Sequence, residues 1–289
     1  MNTNKEDFLK ELIPVIRNKL GDDYYVSTSD IIGNNGVCTT SIDVQKKKKN
    51  NPKIIIDGFY KSFEKGDAIE DIADRIICRY NEAQNDMLLT EGGISEWNKI
   101  KDKLSVKVIS AERNADYLDS LVWRKYLDFA VVPIIVFNYD FNSFRAVNVS
   151  TNMAENWGID YNTIIDTAIT NSKTLFSCTA RNLNEAFPGG NWEEIYEEHP
   201  WKIITSKYYN NGSAGILDKE LLDGIYREYG CLYYILPLSV NELIVVPYDG
   251  VPVDELKELS VYCASQITDT GEVLSDNIYV YNGSCLEIL

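Results

Sequence analysis

Gly230-Cys-Leu-Tyr-Tyr-Ile-Leu-Pro-Leu-Ser-Val-Asn-Glu-Leu-Ile-Val-Val-Pro247 contains two apolar runs, Leu232–Leu236 and Leu243–Val246, each closed by a proline. A short polar turn, Ser239-Val240-Asn241-Glu242, separates them. Apolar runs this short, rich in β-branched and aromatic residues, predict an antiparallel strand pair at the centre of a core, over 232–236 and 243–247. The turn places polar side chains between two buried strands. Such a position suits either a plain connector or a site.

Working outward, the C-terminal part predicts a strand at Leu104–Ser110 and a short helix at Asn114–Leu121. Strands at Leu127–Phe137 and Phe144–Val149 follow, then a helix from Thr151. A second succession comprises a strand at Lys202–Ser206, a helix at Asp218–Tyr229, the central strand pair, and a helix from Pro252 to Ile267. Both read strand, helix, strand, strand, helix, which suggests a duplicated β-α-β-β-α order without detectable sequence identity. Between them, Asn162–Pro200 is read as extra helix with an irregular insertion at Phe187-Pro188-Gly189-Gly190. There Asn191 and Glu194 frame a helix start as a capping box, which accounts for the glycines without a phosphate.

The N-terminal part opens with helical spacing of Phe8, Leu9, Leu12, Val15, Ile16 and Leu20, stopped at Gly21. Tyr24–Ile32 and Val37–Val44 read as a hairpin through Asn35-Gly36. Lys53–Asp57 is a third strand, and Asp57 is read as the cap of the next helix. The lysine run Lys46–Lys49 is read as a solvated hairpin tip that discourages edge pairing. Asp67 and Glu70 frame a further helix with a stripe of Ile69, Ile72, Ala73, Ile76, Ile77 and Tyr80. The expected class is α+β, antiparallel sheets with helices packed on them. The expected division is 1–104, a helix, a three-stranded sheet and helices, and 105–289, an acidic α+β region.

Composition narrows the function. The 45% hydrophobic and 11% aromatic content is that of a folded chain. Phe129–Phe137 is the longest apolar run, far below the roughly 20 residues of a bilayer span, and the N-terminus has no signal-peptide pattern. A soluble, cytoplasmic protein without membrane contact is expected. Six scattered cysteines (Cys38, Cys78, Cys178, Cys231, Cys263 and Cys285), with no C-x-x-C, predict free thiols and no zinc site. The single histidine, His199, ends an acidic helix at Glu193–Glu198 and is read as complementing the helix dipole, with Glu194 and Glu198 on a solvated face. Cys231 and Ser239 are the nucleophile candidates near the central strands, but no base and no G-x-S-x-G elbow accompany them. No metal and no cofactor is expected.

Net charge is −16. Residues 1–110 carry 17 Lys/Arg against 18 Asp/Glu, whereas residues 111–289 carry 11 against 26. The acidic C-terminal region would repel phosphates, so direct nucleic-acid binding is not expected, and a protein with a basic surface is the expected partner. The 19 tyrosines agree, since tyrosine supplies interface area at low entropic cost. The reading favoured is a non-catalytic interaction protein, in its narrowest form an inhibitor of a nucleic-acid-handling enzyme. The alternative is a small-molecule-binding or hydrolytic enzyme with its site at Ser239, Asn241 and Glu242, joined by Asp276. A separate candidate is Arg124 with Asp128, at the mouth of the most apolar strand, as an anion anchor or an ion pair.

Several segments together carry a likeness: Asn34–Val37, Pro52–Tyr60, Arg124–Val132, Trp201–Gly215, Tyr234–Pro237, Leu243–Pro247 and Glu272–Tyr279. In this order they resemble the domain of unknown function 5688 family, found in Gram-positive anaerobes and their mobile elements. The resemblance implies an α+β protein of bacterial or phage origin with no established reaction, cofactor or ligand. Members tend to carry a Ser-x-His-Glu turn where this chain has Ser239-Val240-Asn241-Glu242. A histidine-dependent activity in that family would therefore be lost here.

Overall fold

The computed structural model describes residues 4–46, 53–91, 94–141, 144–183, 201–248, 252–266 and 270–289. The chain divides into two compact units: 1–33 with 37–95, and 34–36 with 96–289. The class is α+β, and among the described residues every strand pairing is antiparallel.

In the first unit, helix α1 (Lys5–Leu20) is capped by Asn4, whose side chain accepts from the Asp7 N–H at 2.9 Å. It ends at Gly21, where a φ of 84° suits glycine. Its buried stripe is Phe8, Leu12 and Ile16. Strands β1 (Tyr24–Ile32), β2 (Cys38–Lys46) and β3 (Lys53–Ile55) form a sheet in chain order. Asn35 and Gly36 in the connecting turn take left-handed φ values of 57° and 70°, as this pair favours. Helices α2 (Asp57–Glu64) and α3 (Ile69–Glu91) complete the unit, and Ile72, Ala73 and Ile76 join Val26, Ile42 and Val44 in its core.

Two local expectations are corrected. Asp57 is the first residue of α2 rather than its cap, which is Ile56; its carboxylate instead takes a 2.5 Å bond from Lys5 Nζ. Asp67 stands one residue before the cap position of α3, which Ala68 occupies by accepting the Ile72 N–H, and its Oδ2 accepts from Arg75 Nη2 at 2.6 Å. Most of the lysine-run loop, the Asn191/Glu194 capping box and His199 lie outside the described residues.

The described residues of the second unit form two sheets. In the smaller one β6 (Phe129–Tyr139) is central. One edge pairs with β4 (Leu104–Ser110), and the other with β5 (Arg124–Tyr126) and β7 (Phe144–Asn148) at opposite ends. The short helices α4 (Trp97–Ile100) and α5 (Ala115–Leu118) flank β4 in sequence, and α6 (Thr151–Trp157) and α7 (Tyr161–Leu175) follow β7.

The larger sheet has six strands: β8 (Thr179–Asn182), β9 (Lys202–Thr205), β10 (Tyr233–Ser239), β11 (Glu242–Pro247), β12 (Tyr279–Tyr281) and β13 (Leu286–Ile288). Their order is β13-β12-β10-β11-β9-β8. Helices α8 (Lys219–Tyr229) and α9 (Val253–Gln266) precede and follow the β10–β11 hairpin.

The predicted strand pair therefore lies at the centre of this sheet. Its unbroken apolar sequence has a direct cause. Tyr233, Ile235, Leu243 and Val245 face one cluster with Val108, Phe129 and Leu222, while Tyr234, Leu236, Ile244 and Val246 face another with Leu256 of α9. Alternate side chains point to opposite faces, so a strand buried on both faces needs apolar residues at every position. Strand β10 also runs past Pro237. A register shift between Leu236 and Ser239 absorbs the proline, which has no N–H to give to a ladder.

The two strand-helix-strand-strand-helix successions do not share one pairing scheme. Strand β4 pairs with the first strand of its hairpin, β6, whereas β9 pairs with the second strand of its hairpin, β11.

Candidate functional site

The Ser239–Glu242 turn is held by its own polar groups. Ser239 Oγ accepts the Asn241 N–H at 3.0 Å. Asn241 Oδ1 accepts the Asn211 N–H at 3.1 Å, and its Nδ2 donates to Glu272 Oε1 at 3.2 Å. Thr205 Oγ1 donates to the Asn241 carbonyl at 3.2 Å. The backbone adds Val240 N–H to Glu272 O at 2.9 Å and Ser213 N–H to Val240 O at 3.2 Å. Turn amides and hydroxyls commonly serve in this way.

Gly212 makes the seating possible. A Cβ at this position would lie 2.1 Å from the Asn241 carbonyl oxygen and 2.7 Å from Thr205 Cα, so only glycine lets the two backbones approach. Asn211 before it has a φ of 55°, a left-handed conformation that asparagine tolerates.

Glu242 opens β11 and pairs across the turn with Ser239. Burial, with the nearby Glu272 carboxylate as a smaller cause, raises its pKa above the usual glutamate value. The carboxylate that joins the turn is thus Glu272. Asp276, expected there from sequence, bonds instead to Arg113 Nη2 at 2.5 Å and is largely exposed. Glu272 stands four residues earlier, inside the Glu272–Tyr279 stretch that stands out in the sequence, but nothing local distinguishes its role from that of Asp276.

Arg124 and Asp128 are not partners. Arg124 Nη1 pairs with Asp166 Oδ1 of α7 at 2.9 Å. Asp128 Oδ2 accepts from Ser275 Oγ at 2.7 Å and Asn277 Nδ2 at 3.0 Å, and its Oδ1 accepts from the Tyr279 hydroxyl. The tyrosine is raised above its usual range by burial and by this carboxylate. The network ties the β5–β6 turn to the segment before β12. Its partners are about 150 residues away in sequence, which explains why the nearer arginine looked like the mate.

Sequence patterns did not reveal a groove of about 680 Å³ lined by the end of β6, the C-terminal half of α7 and the loop after β9. Asn138, Asn171, Thr170 and Thr174 supply amides and hydroxyls, and Tyr139 and Tyr208 supply rings. Tyr139 is fixed by a 2.7 Å bond to Ser206 Oγ and stacks edge-on with Tyr208 at 4.8 Å. Phe141, 74% exposed, extends the aromatic rim at 5.0 Å from Tyr208. One carboxylate, Asp102, and one ammonium, Lys207, complete the lining. These residues come from separate segments, so no periodicity marks them.

Among the described residues no group of three or more His, Cys, Asp or Glu is gathered to hold a metal ion, and no helix is long and apolar enough to cross a membrane. The described cysteines Cys38, Cys78, Cys178, Cys231 and Cys285 are free thiols.

No curated protein and no solved structure matches the chain. One family model does match, over residues 5–283, and so spans both units. Across nearly its whole length, then, this chain belongs to the family of unknown function DUF5688.

Proposed function

We propose that this chain is a protein-interaction module that binds an extended, basic polypeptide segment through its acidic C-terminal region. The observation that carries the reading is the groove beside Tyr139 and Tyr208. Asn138 Nδ2, Asn171 Nδ2 and Thr170 Oγ1 already donate to Asp140, the Lys101 carbonyl and the Asp166 carbonyl. The side-chain oxygens and second amide hydrogens of the two asparagines are therefore what match the main-chain groups of an extended peptide, and the rings match apolar side chains. The surplus of 26 acidic over 11 basic residues in 111–289 favours a cationic ligand. The narrower form, an inhibitor occupying the nucleic-acid groove of an enzyme, rests on charge alone.

The test is a peptide-display selection against the wild-type chain and against Phe141→Ala/Tyr208→Ala, at low and high salt. The reading expects Lys/Arg-rich peptides enriched on the wild type, lost on the double variant and weakened at high salt, where exposed charges are screened beyond about 10 Å at 0.1 M. Identical enrichment on both proteins, or enrichment indifferent to salt, sinks it.

A second reading, a small-molecule or hydrolytic site at the turn, is favoured by the raised Glu242 carboxyl. It is tested by Glu242→Gln, which on that reading abolishes ligand binding while leaving peptide enrichment intact. The hydrogen bonds of Ser239 and Asn241 to local backbone support the connector role for the turn instead.

A further inference from the structure

Strand β4 is buried at every position but one. The exception is Lys107, a lone cation in Leu-Ser-Val-Lys-Val-Ile-Ser. Among the described residues no carboxylate pairs with it. Its ammonium lies 5.0 Å from the centroid of the Tyr117 ring, on α5, and donates to the Tyr117 hydroxyl at 3.4 Å. Asn148 Nδ2, from β7, donates to the same hydroxyl at 2.5 Å. The phenol oxygen thus accepts twice, which leaves its own proton free to be given away.

The sheet register gathers a further group. Lys107 is opposite Val132, Ser105 is opposite Ile134, and Ile134 is opposite Asn148 on its other side. Ser105, Lys107 and Asn148 therefore share one face of the sheet, around two apolar residues of β6. Ser105 is fully buried, and its hydroxyl has no partner among the described residues. A satisfied core seldom leaves such a group idle.

We propose that Lys107 is the reactive amine of a covalent site for small carbonyl compounds, with Tyr117 as its proton donor. Although the residue as a whole is only half-buried, its ammonium is desolvated by the groups packed around it, and this lowers the amine to about 8. At pH 7.5 about a quarter of it is then neutral, against about 0.1% of an ordinary exposed lysine. The neutral nitrogen attacks the carbonyl carbon, and the carbonyl π pair moves to oxygen, which takes the Tyr117 proton. The nitrogen returns a proton to Tyr117, and the carbinolamine loses water. An aldehyde and the lysine thus become an imine and one water, with no change in oxidation state. Lysines activated by desolvation serve this chemistry elsewhere.

The test uses the full chain with propionaldehyde and cyanoborohydride, which traps the imine as a stable secondary amine, followed by peptide mapping at short times. Lys107 is expected to be labelled at least about tenfold faster at pH 7.5 than the exposed Lys125, with a rate that rises through a midpoint near pH 8. Tyr117→Phe keeps the ring against the amine and removes only the hydroxyl. It is expected to slow Lys107 labelling while Lys125 labelling stays constant. Equal rates at the two lysines would mark Lys107 as a structural cation on an aromatic face and overturn the site. A Tyr117→Phe variant that labels Lys107 as fast as wild type overturns the role given to Tyr117, and with it the proposal.

Discussion

Replacing Gly212 by alanine should be among the most damaging single-methyl additions to this protein. The added Cβ would meet the Asn241 carbonyl oxygen at 2.1 Å, Thr205 Cα at 2.7 Å and the Ser206 nitrogen at 3.0 Å. All three are backbone atoms, so no side chain can swing away. Overpacking of this kind costs about 1–3 kcal/mol. Moving the Asn241 carbonyl also breaks its bond from Thr205 Oγ1, adding about 1 kcal/mol. The expected loss is about 2–4 kcal/mol in the stability of the second unit.

Gly224, in the interior of α8, provides the control, because a Cβ there meets nothing within 4 Å. Gly224→Ala should stabilise by about 0.5–1 kcal/mol, since alanine has less backbone freedom to lose in a helix. The same chemical change is thus expected to act with opposite signs at two sites. Urea unfolding followed by tryptophan fluorescence reads the right unit, because all five tryptophans follow residue 96. A Gly212→Ala midpoint within about 0.5 kcal/mol of wild type, or one that moves with that of Gly224→Ala, would refute the close-approach argument.

Asn241→Ala leaves the N–H of buried Asn211 without its acceptor and should cost about 2 kcal/mol, with peptide enrichment unchanged; retained stability with lost binding would overturn the connector role. For Glu242 the folded carboxyl titrates above 4.5, so between that value and the raised one the folded state holds more protons than the unfolded state, and stability falls as pH rises through the window. Glu242→Gln should therefore gain stability relative to wild type as pH goes from 4 to 7, and a difference independent of pH would contradict the assigned cause. Burial pushes the Cys178 thiol up to about 12, so with an aromatic disulfide reagent at pH 8 the exposed Cys38, Cys78 and Cys285 should react before it. Unfolding without reductant should then release six thiols in all, and fewer would overturn the expectation that the cysteines are reduced.

Sequence alone determined many of the local elements and which strands belong at the centre. It did not mark the short strands β8, β12 and β13, and β8 lies inside 162–200, which reads as helix. Gly21 ended α1, Asn35-Gly36 turned the first hairpin, and Leu104–Ser110 was delimited to the residue, because each rests on short-range conformational preference or side-chain periodicity. The runs at 232–236 and 243–247 declared two-sided burial by lacking polar alternation. Tertiary structure decided the partners. Arg124 turned to Asp166 and Asp128 to Ser275, Asn277 and Tyr279, since charge and hydrogen-bonding groups act through space and carry no mark of their mates along the chain. It also decided that Glu272, rather than Asp276, reaches Asn241, and that β9 joins β11 while β4 joins β6. The groove at Tyr139 and Tyr208 exists only where β6, α7 and the loop after β9 converge, because a concave surface is made by the packing of distant segments and not by any one of them.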